Sequence, residues 1–260
     1  MFKFCNLYSG SSGNCSFIET ENAKILVDMG VSNKKLEEGL ASINISADDI
    51  DAIIVTHEHS DHVKGIPVTL KKHDIPVYAN EKTFQYMKEI LPEEKRNYFK
   101  TGEDFEIKDL RIHSFAIPHD AADPCGFTIS HGNQKISIAT DIGHIENNLI
   151  DNCVGNDFVL IESNYEPDML KCSRYPYLLK RRILGPEGHL SNEDASNIIC
   201  TLSKNGVHNF MLGHLSKENN IPELAYQTVA TDLMNNIDIN KISLSVANRD
   251  NPNPVIDIAI

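Results

Sequence analysis

Short apolar runs that end in polar residues recur along the whole chain. Residues 51–56 read Asp-Ala-Ile-Ile-Val-Thr, a β-branched run typical of a buried strand. Similar runs predict strands over 2–8, 24–28, 76–79, 104–107, 110–117, 126–131, 134–140, 157–163, 208–214 and 241–247. Amphipathic segments between them predict helices over 32–41, 81–90, 192–203 and 222–235, and residues 63–67 lead into a further helix that ends near 72. This alternation of strands and helices favours a mixed α/β protein.

Polar side chains collect at the ends of these predicted strands in both halves of the chain. The recurrence indicates two similar βα halves packed face to face, with a site along one shared edge. No linker or low-complexity segment interrupts the pattern, so we expect a single domain over residues 1–260. The residues at strand ends are Asp61, His119, Asp141, Glu162 and His214.

Residues 56–62 read Thr-His-Glu-His-Ser-Asp-His and directly follow a buried strand. Imidazole and carboxylate groups are costly to bury unless they are paired or bound to a metal. In extended chain His57 and His59 point the same way, and Asp61 and His62 can face a second position as the chain turns. This layout suits two metal ions. A surface histidine cluster is the alternative, and the preceding apolar strand counts against it.

Later strand ends offer further ligands. His119 follows the strand over 110–117 and is the favoured third ligand of the first ion, since catalytic zinc sites take three protein ligands. Asp141 could bridge two ions with its two oxygens, or it could cap the helix that begins near residue 145. Asp28 ends an early strand and is either a partner of a metal-bound histidine or part of a turn.

Charge and composition narrow the range of possible functions. The 260 residues are 41% hydrophobic and 23% charged, as in an ordinary globular protein. The formal net charge of −13 argues against a nucleic-acid binder that works through its overall field. Two divalent ions would offset only part of that charge. Any anionic substrate must therefore be captured locally.

The sequence also predicts a cytoplasmic protein with no membrane partner. The first residues lack the basic and apolar regions of a signal peptide, and no apolar run approaches the roughly 20 residues of a membrane span. No C-x-x-C pair is present, so we interpret the cysteines as small buried hydrophobic residues in a reducing compartment. They are Cys5, Cys15, Cys125, Cys153, Cys172 and Cys200.

One basic cluster lies between Glu162 and the histidine at position 189. A run of charge is usually a solvated face. Here tyrosines are interleaved with the basic residues in an otherwise acidic chain, which favours a strand-binding lip where phosphates pair with cations and bases stack on rings. The cluster consists of Lys171, Arg174, Lys180, Arg181 and Arg182, with Tyr175 and Tyr177 between them.

The ordered set of histidines and aspartates resembles the successive metal motifs of the metallo-β-lactamase superfamily. The resemblance implies an αββα sandwich of two mixed β-sheets flanked by helices, and a site for two divalent ions, zinc or manganese with iron possible. It implies that one ion is held by His57, His59 and His119 and the other by Asp61, His62 and His214. Asp141 and a hydroxide would bridge the two ions.

The second half of the chain is similar to the phosphodiesterase branch that includes ribonuclease Z. Residues 188–193, Gly-His-Leu-Ser-Asn-Glu, match the motif whose histidine is the proton donor there. The resemblance therefore implies that His189 is the general acid and that Glu162 orients it. The chain has neither the length for the inserted domain of the β-CASP nucleases nor the arm with which ribonuclease Z clamps tRNA.

The full set of motifs, at 8–15, 175–182, 188–194 and 214–220, is similar to the bacterial YycJ/WalJ-like branch. That resemblance implies a single-domain phosphodiesterase, a 5′→3′ exonuclease on DNA in which the bridging hydroxide attacks and Asp61, Glu162 and His189 take part in catalysis. The substrate contacts expected are Arg174, Tyr175, Lys180, Arg181, Arg182, Ser216 and Asn220.

Three functions are alternatives to a DNA exonuclease. The first is hydrolysis of a small-molecule ester, lactone, thioester or cyclic phosphodiester on the same metal core, against which the basic cluster counts. The second is an oxidoreductase on an iron core, which would place Glu at position 59 and add a flavin domain. The third is a metal-binding partner protein without catalysis, which would be expected to have lost ligands.

Overall fold

The computed structural model describes residues 1–87, 91–237 and 239–258. Within these residues the strands, numbered in chain order, are β1 (Lys3–Tyr8), β2 (Cys15–Glu19), β3 (Lys24–Val27), β4 (Ala52–Ile54), β5 (Val77–Asn80), β6 (Arg96–Phe99), β7 (Asp104–Ile107), β8 (Leu110–Ala116), β9 (Cys125–His131), β10 (Gln134–Ala139), β11 (Phe158–Glu162), β12 (Asn209–Gly213), β13 (Ser243–Val246) and β14 (Ile256–Asp257).

Helices connect the strands and cover the outer face of each sheet. The α-helices of the described residues are α1 (Asn33–Ser42), α2 (Ser60–Val63), α3 (Ile66–Thr69), α4 (Glu81–Met87), α5 (Asn147–Cys153), α6 (Pro167–Cys172), α7 (Tyr177–Ile183), α8 (Asn192–Lys204) and α9 (Pro222–Asn236). Single 3₁₀ turns cover Ala47–Asp49, Glu93–Lys95 and Ile239–Lys241.

The strands form two mixed sheets of seven strands each among the described residues. The first has the order β14-β1-β2-β3-β4-β5-β6, and the second has the order β13-β12-β11-β10-β9-β8-β7. Strands β3 to β6 are parallel in the first sheet, as are β10 to β13 in the second. The carboxyl ends of neighbouring parallel strands lie at one edge of a sheet, which brings the polar residues that follow them together.

Alternating side chains explain why both faces of the central strands are apolar. In β3, Ile25 and Val27 pack between the two sheets, while Leu26 packs under the outer helices of the first sheet. In β11, Leu160 faces the inter-sheet core and Ile161 faces the outer helices of the second sheet. Strands buried on both faces need continuous apolar runs, which is the pattern seen in the sequence. The predicted αββα sandwich is confirmed.

Several element boundaries differ from the prediction. The sequence pattern missed β2, β6 and β14. Strands β6 and β14 are the two edges of the first sheet, so they lack the apolar run of a central strand. The helix predicted to follow residues 63–67 and to end near 72 is α3, which ends at Thr69, whereas the short helix α2 before it was not predicted. Gly65, whose backbone N–H binds the Met29 carbonyl oxygen at 3.0 Å, separates the two helices. The helix predicted over 81–90 is present over Glu81–Met87, and 88–90 lie outside the described residues.

The cysteines are all free thiols, and four of the six are buried. The interpretation as buried hydrophobic residues is wrong for Cys172, which is exposed at the end of α6, and for Cys200, which is half-buried. Among the described residues, no helix is both long enough and apolar enough to cross a membrane.

Candidate metal centre

Three polar residues directly beyond parallel strands adopt a left-handed backbone. The φ angles are 61° at Asp28 after β3, 62° at Asp141 after β10 and 55° at His214 after β12. This conformation is uncommon for residues other than glycine, and it clusters at functional sites where the surrounding structure compensates its cost. Each strand therefore ends in an abrupt bend, and the three side chains meet at the edge shared by the two sheets.

The first group of possible ligands consists of His57, His59 and His119. One ring nitrogen of each lies within 4.8 Å of the others, and His59 Nδ1 is 3.3 Å from His119 Nε2. His57 is fully buried, and its Nε2 has no hydrogen-bond partner within the described residues. Burial and the neighbouring His62 hold the pKa of His57 well below its usual range, so its ring is neutral, as metal ligation requires.

The second group consists of Asp61, His62 and His214. Their donor atoms also lie within 4.8 Å of one another. His214 Nε2 is 3.4 Å from Asp61 Oδ2, and His62 Nε2 is 3.7 Å from the same oxygen. A carboxylate with two imidazoles is a donor set suited to zinc or manganese.

Asp141 lies between the two groups. Its Oδ2 is 3.2 Å from His62 Nε2, and its Oδ1 is 3.7 Å from His119 Nε2. The buried Oδ2 accepts no well-directed hydrogen bond from the described residues. An unsatisfied buried carboxylate oxygen and an unsatisfied buried imidazole nitrogen, both within the cluster, are costly without a cation and fit a pair of divalent ions.

Partners around the first sheet fix two of the imidazoles. Asp28 Oδ2 is 2.8 Å from His62 Nδ1, and Thr56 Oγ1 is 3.0 Å from His57 Nδ1. The Thr56 hydroxyl also lies 2.9 Å from Asp28 Oδ2. Because Nδ1 is occupied in both rings, Nε2 is the nitrogen available to a metal. Asp28 therefore both forms the bend at the end of β3 and hydrogen-bonds the His62 ring.

Partners from the second half of the chain fix two more imidazoles. The Gly188 carbonyl oxygen is 3.0 Å from His119 Nδ1, and Glu162 Oε1 is 2.8 Å from His214 Nδ1. The same Glu162 oxygen is 2.8 Å from His189 Nδ1. Its other oxygen accepts the backbone N–H groups of Ile142 at 2.7 Å and Leu190 at 3.1 Å. One buried carboxylate thus orients both His189 and His214.

The carboxylates of the cluster are ionised. Burial alone would raise the pKa of Asp141, but the neighbouring His214 and His62 outweigh it and hold that pKa well below its usual range. Burial opposes ionisation of Glu162 too, yet His189 and His214 lower its pKa to about 2. Burial would lower the pKa of His214, and the nearby carboxylates, first Asp141, raise it to about 10 instead. Bound cations would replace the positive charge that His214 supplies.

A cavity of about 210 Å³ opens onto this cluster. His59, Asp61, His119, Asp141, His189 and His214 line its floor and sides. Of the substrate contacts expected from the sequence, Tyr175, Arg182 and Ser216 also line this cavity. Asn220 does not. It is buried, and its amide donates to the Ser163 carbonyl oxygen at 2.9 Å.

Of the basic residues of 171–182, Arg182 lines the cavity and the other four do not. Arg182 pairs with Asp120, which follows His119, with 2.9 Å between Nη2 and Oδ1. The guanidinium of Arg181 stacks 5.9 Å from the centre of the Tyr177 ring. Lys180 donates to the Lys171 carbonyl oxygen at 2.6 Å, and Arg174 is exposed.

The sequence pattern missed two asparagines beside the cluster. Asn14 Nδ2 is 3.1 Å from His62 Nε2, and Asn164 Nδ2 donates to the His214 carbonyl oxygen at 2.9 Å. Asn164 follows Glu162 by two residues beyond β11, so it carries the same strand-end signal as the ligands. Asn14 ends the Ser/Gly turn between β1 and β2, where a turn residue alone gives no indication of a metal centre.

We expect Gly30→Ala to loosen the segment that carries Asp61. A Cβ at Gly30 would lie 1.5 Å from the Asp61 carbonyl oxygen, and that oxygen accepts the Asn14 N–H at 2.8 Å. The variant should lose about 3 kcal/mol of unfolding free energy, because two backbones must separate. Urea denaturation, after a chelator has removed bound metal from the protein, measures this loss. Gly132→Ala, where a Cβ meets open space at φ +59°, should cost only about 1 kcal/mol; equal losses would contradict the explanation.

We expect Glu162→Gln to weaken metal binding. Loss of the charge leaves His214 Nδ1 without its anionic partner, and such outer partners typically contribute 10- to 100-fold to affinity, so a drop of about that size is expected. Titration against a chromophoric chelator measures it. Glu146→Gln, which removes the exposed partner of His144, is the matched control and should bind metal like the parent.

The model of the metallo-beta-lactamase superfamily matches residues 8–189. This chain belongs to that superfamily. The crystal structure of the metallo-beta-lactamase fold protein YhfI from Bacillus subtilis covers 99% of the chain and is itself covered completely, with a TM-score of 0.74 and 14% identity. That similarity concerns the fold alone.

Curated relatives of this superfamily member cover most of its length. Exodeoxyribonuclease YycJ from Bacillus anthracis is 37% identical over 230 residues, which are 87% of each chain. Exodeoxyribonuclease WalJ from Streptococcus pneumoniae is 39% identical over 237 residues, covering 89% of this chain and 88% of the relative. The chain is thus a metal-dependent hydrolase of the metallo-beta-lactamase superfamily.

Proposed function

We propose that this hydrolase is a phosphodiesterase that degrades DNA from the 5′ end, with two divalent ions at the described cluster. The observation that carries the proposal is the position of His189. It lines the cavity beside the metal cluster, its ring centre is 5.1 Å from that of His119, and Glu162 holds its Nδ1. A nearby imidazole outside both ligand groups is suited to proton transfer.

The chemistry of phosphodiester cleavage fits this arrangement. When bound, two divalent ions supply a hydroxide nucleophile at neutral pH and neutralise charge on the phosphoryl oxygens. His57, His59 and His119 would hold one ion, and Asp61, His62 and His214 the other, with Asp141 between them. His189 would hold a proton at Nε2 and transfer it to the departing 3′-oxygen, since its Nδ1 faces Glu162.

The walls of the cavity fit an anionic strand. Tyr175 and Arg182 line it, and the same segment of chain carries Arg174 and Arg181 with exposed side chains. In a chain of net charge −13, basic residues placed here supply local attraction for phosphates, and tyrosine rings offer stacking platforms. The names of the two relatives, both exodeoxyribonucleases, support DNA as the substrate and an end as the starting point.

Digestion of end-labelled strands tests the proposal. Single- and double-stranded DNA and RNA of one sequence, labelled at either end, are incubated with protein reconstituted with Mn²⁺ or Zn²⁺. We expect DNA to be shortened from its 5′ end and the label to appear in nucleotide products. The rate should fall as salt rises, because phosphate contacts release counterions.

The competing function is hydrolysis of a small-molecule ester, lactone, thioester or cyclic phosphodiester on the same centre. Turnover of a chromogenic phosphodiester, nitrocefin and a thioester by the same preparation separates the two. Intact DNA beside rapid turnover of a lactam or thioester would overturn the nuclease proposal.

A further inference from the structure

Arg182 is the only lysine or arginine that lines the catalytic cavity in the described part of the chain. Its neighbours in the basic cluster are engaged elsewhere. Lys180 donates to the Lys171 carbonyl oxygen at 2.6 Å. The guanidinium of Arg181 stacks on the Tyr177 ring. Arg182 therefore brings a permanent positive charge to a cavity that is otherwise rich in imidazoles and carboxylates.

Asp120 holds the guanidinium of Arg182 with both of its oxygens. Arg182 Nε donates to Asp120 Oδ2, and Arg182 Nη2 donates to Oδ1 at 2.9 Å. A carboxylate that accepts two hydrogen bonds from one arginine fixes the plane of the guanidinium. These two bonds use neither hydrogen of Nη1, so the held side chain keeps donors for another anion.

The Asp120–Arg182 pair lies against the metal cluster. Asp120 Oδ1 is 3.4 Å from His119 Nε2, the ring nitrogen that is available to a metal. The hydrogen bonds to Asp120 raise the pKa of Arg182. The charges of Asp61 and Asp141 raise this pKa further, so the guanidinium lies within electrostatic reach of the cluster carboxylates.

Arg182 and His189 belong to one tight segment of chain. The His189 backbone N–H donates to the carbonyl oxygen of Ile183, the residue after Arg182, at 3.0 Å. The Asp120 backbone N–H donates to the Glu187 carbonyl oxygen at 3.1 Å, which binds the same segment to the loop that carries Asp120. Backbone contacts thus hold the cation and the proposed proton donor around one cavity.

Hydrolysis of a phosphodiester builds up negative charge on the oxygens of the reacting phosphate. A guanidinium that is already held in place stabilises this charge without reorienting during the reaction. Its benefit depends on placement, since a displacement of about 1 Å can cost about 10²-fold in rate. Asp120 adds a negative charge beside an anionic substrate, so any benefit it brings comes from placing Arg182 and not from attraction.

We infer that Arg182 contacts the phosphate at which the strand is cut and that Asp120 is the positioning residue that aims its guanidinium. The inference rests on the proposed function and names the protein group that stabilises charge on the reacting phosphate. The sequence predicted Arg182 as a strand contact, and it assigned no role to Asp120. In this scheme Arg182 is a catalytic residue, whereas Asp120 acts only through Arg182.

Steady-state kinetics on DNA and on a chromogenic phosphodiester separate placement from attraction. Arg182→Gln should lower kcat about 10²–10³-fold, as removal of one donor to a developing oxyanion does. Asp120→Asn keeps the guanidinium but releases it, so kcat should fall about 10- to 100-fold while KM does not rise. Arg182→Lys keeps the charge without the planar fork and should behave like Asp120→Asn.

A double-mutant cycle tests the alternative that Asp120 is itself a metal ligand. In the Arg182→Gln background, Asp120→Asn should have no further effect on kcat, because no guanidinium is left to aim. Titration against a chromophoric chelator should give both single variants the metal affinity of the parent. Weaker metal binding by Asp120→Asn, or an equal loss of rate with and without Arg182, would overturn the inference and assign the carboxylate to the metal.

The salt dependence of strand binding gives a readout without catalysis. It is measured by fluorescence anisotropy with a labelled single strand, after a chelator has removed metal from the protein. Arg182→Gln should weaken binding and reduce the slope of log affinity against log salt by about 1, as the loss of one phosphate contact does. Asp120→Asn should keep the slope of the parent. An unchanged slope in Arg182→Gln would contradict the phosphate contact.

A second arginine–aspartate pair supplies the matched control. Arg111 Nε donates to Asp104 Oδ2 at 3.0 Å, and neither residue lines the catalytic cavity. Arg111→Gln and Asp104→Asn should keep the kcat and the salt slope of the parent. Losses as large as those of the Asp120–Arg182 variants would show that removal of any such pair has these effects, and the inference would fail.

The inference and the proposed function fail in different ways. If the reconstituted parent shortens DNA from the 5′ end and both Arg182→Gln and Asp120→Asn do so at the same rate, the inference is refuted and the nuclease proposal stands. If the parent leaves DNA intact but hydrolyses the chromogenic phosphodiester with the expected order of variants, the nuclease proposal is refuted and the inference stands.

Discussion

Asp141→Ala is expected to remove bound metal and to abolish hydrolysis. Asp141 reaches toward both ligand groups, with one oxygen 3.2 Å from His62 Nε2 and the other 3.7 Å from His119 Nε2. Loss of an outer partner typically costs 10- to 100-fold in metal affinity or activity, so loss of a group that serves both ions should exceed about 10²-fold. Elemental analysis of the purified variant and its rate on DNA measure the two effects together.

The control for Asp141→Ala is Asp104→Ala. Asp104 is an aspartate of the second sheet that pairs with Arg111, away from the cluster. It should retain the metal content and rate of the parent protein. An Asp141→Ala protein that keeps both ions and full activity would show that the cluster is not a two-metal centre, and the hydrolytic mechanism would lose its basis.

His189→Ala is expected to keep its metal and to slow DNA cleavage by about 10²–10⁴-fold, the typical contribution of a general acid. His189 belongs to neither of the ligand groups formed by His57, His59 and His119 or by Asp61, His62 and His214, so its removal leaves both intact. Metal analysis and single-turnover rates of cleavage measure the two expectations separately.

The leaving group distinguishes proton transfer from a merely structural role of His189. A phosphodiester with a nitrophenolate leaving group needs no proton on departure, so His189→Ala should lose far less rate on that substrate than on DNA. His144→Ala is the matched control, because His144 is an exposed histidine that hydrogen-bonds the Pro186 carbonyl oxygen near the site. Equal losses on both substrates would assign His189 to structure and remove the main support for a phosphodiesterase.

These two variants affect different steps although the residues lie close together. His189 and His214 are linked through Glu162, whose Oε1 lies 2.8 Å from Nδ1 of each. Glu162→Gln should therefore combine both phenotypes in a milder form, with weaker metal binding and slower proton transfer. If His214 binds metal and His189 is the proton donor as proposed, this shared carboxylate would couple metal occupancy to the position of the proton donor.

Much of the fold was predictable from local sequence. Strands buried on both faces must be apolar throughout, so β3, β4 and β11 stand out as continuous runs between polar turns. The edge strands β6 and β14 carry no such requirement and were missed. The short helix α2 was also missed, and its separation from α3 has a tertiary reason, because Gly65 between them must approach the backbone of Met29 and Val31.

The sequence by itself determined which side chains could bind metal, because metal chemistry demands imidazoles and carboxylates and strand geometry places them at strand ends. Only the tertiary structure decided which neighbouring groups hold these side chains in place. The Gly188 carbonyl behind His119, Asn164 behind His214 and Arg249 beside Gly10 are contacts between distant segments. Local sequence carries no trace of such contacts, since a carbonyl group, an asparagine or an arginine gains its role from what the folded chain brings next to it.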